Sequence, residues 1–253
     1  MRWLHTGIME NPAPTAGAKA RVFGSPGQSA RTTGLIRTSW PLLLVVFLLG
    51  YLVRAAMPSP ELTMSAVGVF CLLLGLAAAV TLSLSERRFR AYVKGARGEE
   101  RVAYELASLP ETYTVFHGME AGAGTSGGAG DIDHVVVGPA GVFVIETKNW
   151  SGRVTVRGGE VLYDGHKPHR SPIEQVAAAG RAVERLLRER GQDDVTVRRV
   201  VCFAGSEPEA DGPAAGEAEI CGLGRLRALL AANDGEEALS EEKRETICSI
   251  LAA

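Results

Sequence analysis

Residues 130–154, GDIDHVVVGPAGVFVIETKNWSGRV, carry the strongest fold signal in the chain. Two short runs rich in β-branched and aromatic residues flank Gly138-Pro139-Ala140-Gly141. That pattern predicts a β-hairpin with strands at 131–137 and 142–148 and a tight turn between them. Strand side chains alternate faces, so Asp131, Asp133, Val135 and Val137 share one side of their strand. Val142, Val144, Glu146 and Lys148 share one side of theirs. With Val137 opposite Val142, Asp133 lies opposite Glu146 and Asp131 opposite Lys148. Opposed Cβ atoms are about 4.5–5.5 Å apart, and like charges so placed are destabilising unless a cation or shared proton intervenes. Mg²⁺, which takes one or two carboxylates plus waters, is one resolution. Solvation at a sheet edge, with Lys148 neutralising a neighbour, is the other.

Outward from this hairpin the chain reads as mixed α/β. Residues 86–108 predict a helix, with Val102, Leu106 and Leu109 at helical spacing and Pro110 ending it. Glu99 precedes Val102, Ala103 and Leu106 by three, four and seven positions, on the inward face; Glu100 points away. A buried acid needs a partner, and the hairpin carboxylates with Lys148 supply one. Further strands are expected at 113–117, 153–157, 160–163 and 195–203. Ser171-Pro172-Ile173-Glu174 is a capping box with proline at the first helical position, so a helix runs from there to Arg190 and stops at Gly191. A Gly/Pro/Glu-rich loop at 205–219 and helices at 223–233 and 239–252 complete the pattern. The formal GxGxxG at Gly122, Gly124 and Gly127 runs into a strand instead of opening a helix, so it is not a dinucleotide motif.

Three segments together resemble a known family: GARGEERVAYEL (95–106), the run 130–154, and SPIEQ (171–175). They resemble the nuclease-related domain (NERD) family of the PD-(D/E)xK superfamily, over roughly residues 95–205. The resemblance implies a restriction-endonuclease-like mixed sheet flanked by helices, the fold also used by Holliday-junction resolvases. It implies that Asp133 and Glu146 bind Mg²⁺ (or Mn²⁺). Glu146 and Lys148 match the ExK pair, Glu99 the acid of the first helix, and Gln175 a polar residue of the capped helix. The expected chemistry is phosphodiester hydrolysis, with DNA as partner and no small-molecule cofactor. One departure is Ile132, where the superfamily places proline before the aspartate. Arg153, Arg157, Lys167 and Arg170 can serve as phosphate contacts or as a solvated face.

Ahead of this domain stand two apolar runs. Residues 62–84 are uncharged for 23 positions, and residues 41–53 are uncharged as well, with AAM continuing after Arg54. About 20 apolar residues span a bilayer as a helix, so a transmembrane hairpin over 39–85 is expected, with spans at about 40–57 and 62–84. Positive charges flank both outer ends, which predicts the cytoplasmic membrane with the soluble domain in the cytoplasm. Cys71, Gly75 and Ala79 form a small-residue stripe that can pack the hairpin or a second copy in a homodimer. Residues 1–38, rich in Gly, Pro, Ala and Ser, read as disordered and basic. Residues 86–205 read as the nuclease-related domain and 206–253 as an acidic loop and helical tail.

The 253-residue chain has a net charge of −2 and is 46% hydrophobic. That apolar content excludes disorder throughout. The charge is uneven: +4 over residues 1–85, +1 over 86–204 and −7 over 205–253. A uniform basic coat for nucleic acid is therefore excluded. The four cysteines form no CxxC pair, which gives neither a zinc cluster nor a disulfide framework. His166 and His169 form HxxH in a loop without further ligands. His134 faces away from Asp133, packed in the sheet, and Trp150 can cap the sheet or stack on a base. The leading expectation is a membrane-anchored nuclease-like protein. An inactive nucleic-acid-binding or sensing module, or a membrane scaffold recruiting a partner through the acidic tail, stands beside it.

Overall fold

The computed structural model describes residues 19–27, 40, 43–48, 50–52, 54–55, 64–120, 131–210, 218–232 and 238–253. The chain divides into two compact units, Ala30–Lys94 and Gly95–Ala253 together with Met1–Ser29. In the larger unit a mixed six-stranded sheet forms the centre. Its strands are β1 (Arg21–Phe23), β2 (Thr114–Met119), β3 (Ile132–Gly138), β4 (Gly141–Lys148), β7 (Val197–Phe203) and β9 (Glu219–Gly222), in the order β1-β2-β3-β4-β7-β9. The pairs β1–β2, β4–β7 and β7–β9 are parallel, and β2–β3–β4 is an antiparallel meander. A small second sheet holds β5 (Val154–Arg157), β6 (Glu160–Tyr163) and β8 (Glu209–Ala210).

The decisive hairpin pairs Val137 with Val142 and His134 with Ile145, so the expected register holds. The ladder runs one step further than expected, to Gly138 opposite Gly141, leaving Pro139-Ala140 as the turn. Gly141 sits at φ +123°, a conformation that favours glycine.

Helices α1 (Met64–Ala107), α2 (Pro172–Glu189), α3 (Leu223–Ala231) and α4 (Glu241–Ala252) follow in chain order. Two apolar cores lie on the two sheet faces. One packs Val176, Val183 and Leu187 of α2 and Ile247 and Leu251 of α4 against Val135, Val137, Val142 and Val144. The other packs Val102 and Leu106 of α1 and Leu226 and Leu230 of α3 against Val136, Phe143, Ile145 and Val200. The α2 helix starts as expected, with Ser171 Oγ accepting from Glu174 N and proline in the first turn. It ends before Gly191 at φ +75°, whose N–H and that of Gln192 close back on Arg188 and Leu187.

Two expectations need correction, and a third finds no support. Residues 19–27, read as disordered, are ordered: β1 pairs in parallel with β2, and the Phe23 ring stacks on Phe116 at 5.2 Å. Residues 206–253, expected as an acidic loop and helical tail, do hold the two expected helices but are not peripheral, because β9 extends the sheet and α3 and α4 close both cores. The transmembrane hairpin is not supported: among the described residues, no helix is long and apolar enough to cross a membrane. The run 62–84 is not a self-contained span; nothing between 84 and 107 breaks the helix, so from Met64 it continues through the charged stretch to Ala107. Residues 41–42, 49, 53 and 56–57 of the first expected span, and the glycine-rich stretch 121–130, lie outside the described residues.

Candidate functional site

The five residues singled out in the sequence come to one end of the central sheet. Asp133 enters from the start of β3, and its Oδ2 accepts the Thr147 backbone N–H at 2.7 Å. This bond ties the first strand of the hairpin to the point on β4 between Glu146 and Lys148. The Lys148 ammonium donates to Glu146 Oε1 at 2.5 Å and to Gln175 Oε1 at 3.1 Å. Both partners of that ion pair are largely withdrawn from water, at 18% and 12% side-chain exposure, so the pair is screened far less than a surface one. Gln175 is oriented in turn by its Nε2, which donates to the Ser171 carbonyl at 3.2 Å. The helix cap seen in the sequence therefore sets the direction of a site residue.

Glu99 reaches the same place from α1. Its helix docks at Gly98, where an added Cβ would stand 2.5 Å from the Asn149 Cβ. Only glycine lets the helix approach the strand end that follows Lys148 this closely. The Glu99 carboxyl is pushed up to about 7, mainly by burial. The Gly27 N–H and Lys148 pull it down, while Glu146 and Asp131 push it further up. Asp133 is raised well above the usual carboxylate range, first by burial and then by the charges of Glu146 and Glu99. Three acids thus press on one another around a single lysine, which is what opposed carboxylates at a strand end predict.

Among the described residues, no group of three or more His, Cys, Asp or Glu side chains is arranged to hold a metal ion. Two hard oxygen donors, Asp133 and Glu146, are nevertheless the minimum that Mg²⁺ takes when waters fill its other positions. A carboxylate held above its ordinary range by burial and then by neighbouring acids is a group that a divalent cation would relieve. The donor chemistry fits.

Residues 94–204 match the family model of the nuclease-related domain. The matched segment carries all five site residues, from Glu99 to Gln175. It leaves out β1, β8, β9, α3 and α4, although the fold needs them, so the folded unit is larger than the nuclease-related domain itself. The PD-(D/E)xK superfamily is the general context of this domain. An uncharacterized protein of Bacillus anthracis is 30% identical over 102 residues, covering 38% of this chain. The chain spans about half of that relative's length, 48%. No solved structure matches.

Other expected positions resolve without chemistry. His134 is buried on the opposite face, its Nδ1 2.7 Å from that of His117, so one ring donates and the other accepts. Burial keeps both neutral, pushing His117 down to about 4 and His134 well below its usual range. Trp150 caps the sheet against Tyr163 and Phe203, at ring distances of 4.9 and 5.4 Å. Arg153 pairs with Glu209, and Lys167 with Glu160, both at 2.6 Å on the surface. Exposed pairs of this kind leave phosphate contact as one use among several.

Two participants were missed in the sequence. Gly27 donates its backbone N–H to Glu99 Oε2 at 2.9 Å. It lies in a segment whose Gly/Pro/Ser composition hid it. The Thr147 amide was missed because a backbone donor leaves no residue-type signal.

Proposed function

We propose that this protein is a nuclease-like enzyme that hydrolyses phosphodiester bonds of DNA with a divalent cation. The observation that carries the reading is the convergence of Glu99, Asp133, Glu146, Lys148 and Gln175 at one sheet end, within a segment matching the nuclease-related domain. Mg²⁺ or Mn²⁺ on Asp133 and Glu146 would supply Lewis-acid polarisation of the phosphate and a water acidified towards neutral pH. The chain's own residues do the rest. Lys148, fixed between Glu146 and Gln175, presents a positive charge where the phosphate gains negative charge. Glu99, with a carboxyl near neutrality, can accept or return a proton at working pH. The Thr147 amide and the Ser171–Gln175 contact hold this constellation on rigid elements.

The test uses the full-length chain with Mg²⁺ or Mn²⁺ and a panel of single-stranded, duplex and branched DNA. Cleavage of at least one substrate, abolished in Asp133→Ala, is expected. If no substrate is cut and no divalent cation binds at millimolar concentration, the reading fails.

Membrane anchoring is the second part of the proposal. What supports it is the uncharged run 62–84 and a set of apolar side chains left in solvent. Leu43 and Phe47 are 68% and 70% exposed, and Leu72 and Leu76 are 72% and 62%. Exposed apolar residues gathered on two helical segments mark a surface built for lipid or another apolar partner. Alkaline carbonate extraction of cell membranes tests it: retention in the pellet is expected, and release of the full-length chain into the supernatant refutes it.

A further inference from the structure

We propose that Gly27 is a positioning residue of this site: its backbone N–H aims the Glu99 carboxylate at the sheet end where Asp133, Glu146 and Lys148 meet. The inference rests on the nuclease reading above and makes the segment ahead of the apolar runs a working part of the site.

Like charge opposes the observed placement of Glu99. Burial and the charges of Glu146 and Asp131 act on it unfavourably, Lys148 offsets them less than the Gly27 N–H does, and its side chain has rotatable bonds that would let it swing towards water. The Gly27 N–H, 2.9 Å from Oε2, holds it in. A hydrogen bond to an ionised carboxylate is about twice as strong as a neutral one.

The donor is itself held in place. β1 is zipped to β2, with Arg21, Val22 and Phe23 opposite Thr114, Val115 and Phe116. Ala20 N and Arg21 N donate to the Leu109 and Tyr113 carbonyls at 2.9 and 3.1 Å. The Arg21 guanidinium reaches Glu245 on α4 at 2.6 Å and Thr114 Oγ1 at 3.0 Å. Beyond Phe23 the chain turns through Gly24 at φ +81° and arrives at Gly27 at φ +71°.

Position 27 needs glycine twice. Its φ is one that L side chains rarely adopt, and an added Cβ would lie 2.9 Å from the Ala96 Cβ and 3.1 Å from its Cα. Ala96 is fully buried and precedes Glu99 by three positions, on the same face of α1. The close approach that brings the amide to Glu99 is therefore the contact a side chain would forbid.

The experiment compares wild type, Gly27→Ala, Glu99→Gln and the double variant, all full-length, in metal-dependent DNA cleavage. Gly27→Ala should lower kcat by about tenfold or more, as misplacing a reacting group does, with KM within about twofold of wild type. In the Glu99→Gln background the same change should cost less than about twofold, because residues acting as a unit are not additive. Amide hydrogen exchange provides an arm independent of turnover: the Gly27 N–H should be protected in wild type and lose protection in Glu99→Ala. An equal loss of kcat in both backgrounds overturns the proposal. So does Gly27 protection unchanged in Glu99→Ala, a result available even if Gly27→Ala fails to fold. A wild-type chain that neither cuts nor binds cation, yet loses Gly27 protection in Glu99→Ala, refutes the nuclease reading and the catalytic use of the contact while leaving the contact standing.

Discussion

Replacing Glu99 by glutamine should stabilise the cation-free protein at alkaline pH and do nothing at acid pH. The Glu99 carboxyl ordinarily titrates at 4.5 and is pushed up to about 7 in the folded chain, mainly by burial. Between those values the folded protein holds a proton that the unfolded chain has released. Stability therefore falls as pH rises from 4.5, and the loss is complete above 7. The difference of about 2.5 pH units corresponds to about 3 kcal/mol at roughly 1.4 kcal/mol per unit. This is a ceiling, because the side chain is partly in contact with solvent. The glutamine amide introduced by Glu99→Gln keeps an oxygen for the Gly27 N–H and carries no charge to desolvate. Urea unfolding in EDTA, followed by tryptophan fluorescence, should show the variant more stable than wild type by about 1–3 kcal/mol at pH 8. At pH 4.5 the folded carboxyl is protonated and carries no charge to desolvate, so the two should agree within about 0.5 kcal/mol. Added Mg²⁺ should close the gap at pH 8, since a cation relieves in wild type what glutamine relieves by substitution. A difference independent of pH, or a variant less stable at pH 8, would show that Glu99 carries no burial cost and refute the reasoning.

Two further outcomes follow from packing. Gly98→Ala should destabilise the larger unit by about 1–3 kcal/mol, because its Cβ would overlap that of Asn149; a thermal melt unchanged from wild type would count against this docking contact. Deleting residues 206–253 should leave an insoluble or unfolded chain, since β9 and the buried Leu226, Leu230, Ile247 and Leu251 leave with it. A cooperative unfolding transition in the truncated protein would instead show that α3 and α4 are dispensable.

The site was legible where local rules act alone. The hairpin register followed from side-chain alternation and the turn composition, and with it the meeting of Asp133, Glu146 and Lys148. The Ser171 cap placed Gln175 one turn into its helix, and the spacing from Val102 and Leu106 turned Glu99 inward. Phe23, by contrast, sits in a strand of three residues, too short to show alternation, and it is ordered by stacking on Phe116, far along the chain. The acidic composition of 205–253 concealed a strand of four residues, and it gave no sign that the two helices expected there carry buried faces that close the cores.

Pattern and turn chemistry, being periodic and local, determined by themselves the mixed α/β class, the central hairpin and which acids face one another. Only the tertiary structure decided that β1 and the last two helices belong to the same folded unit, and that Gly27 and Thr147 hold two of those acids. Contacts between residues far apart in the chain repay their closure entropy only once the sheet exists, and a backbone N–H has the same form in every sequence.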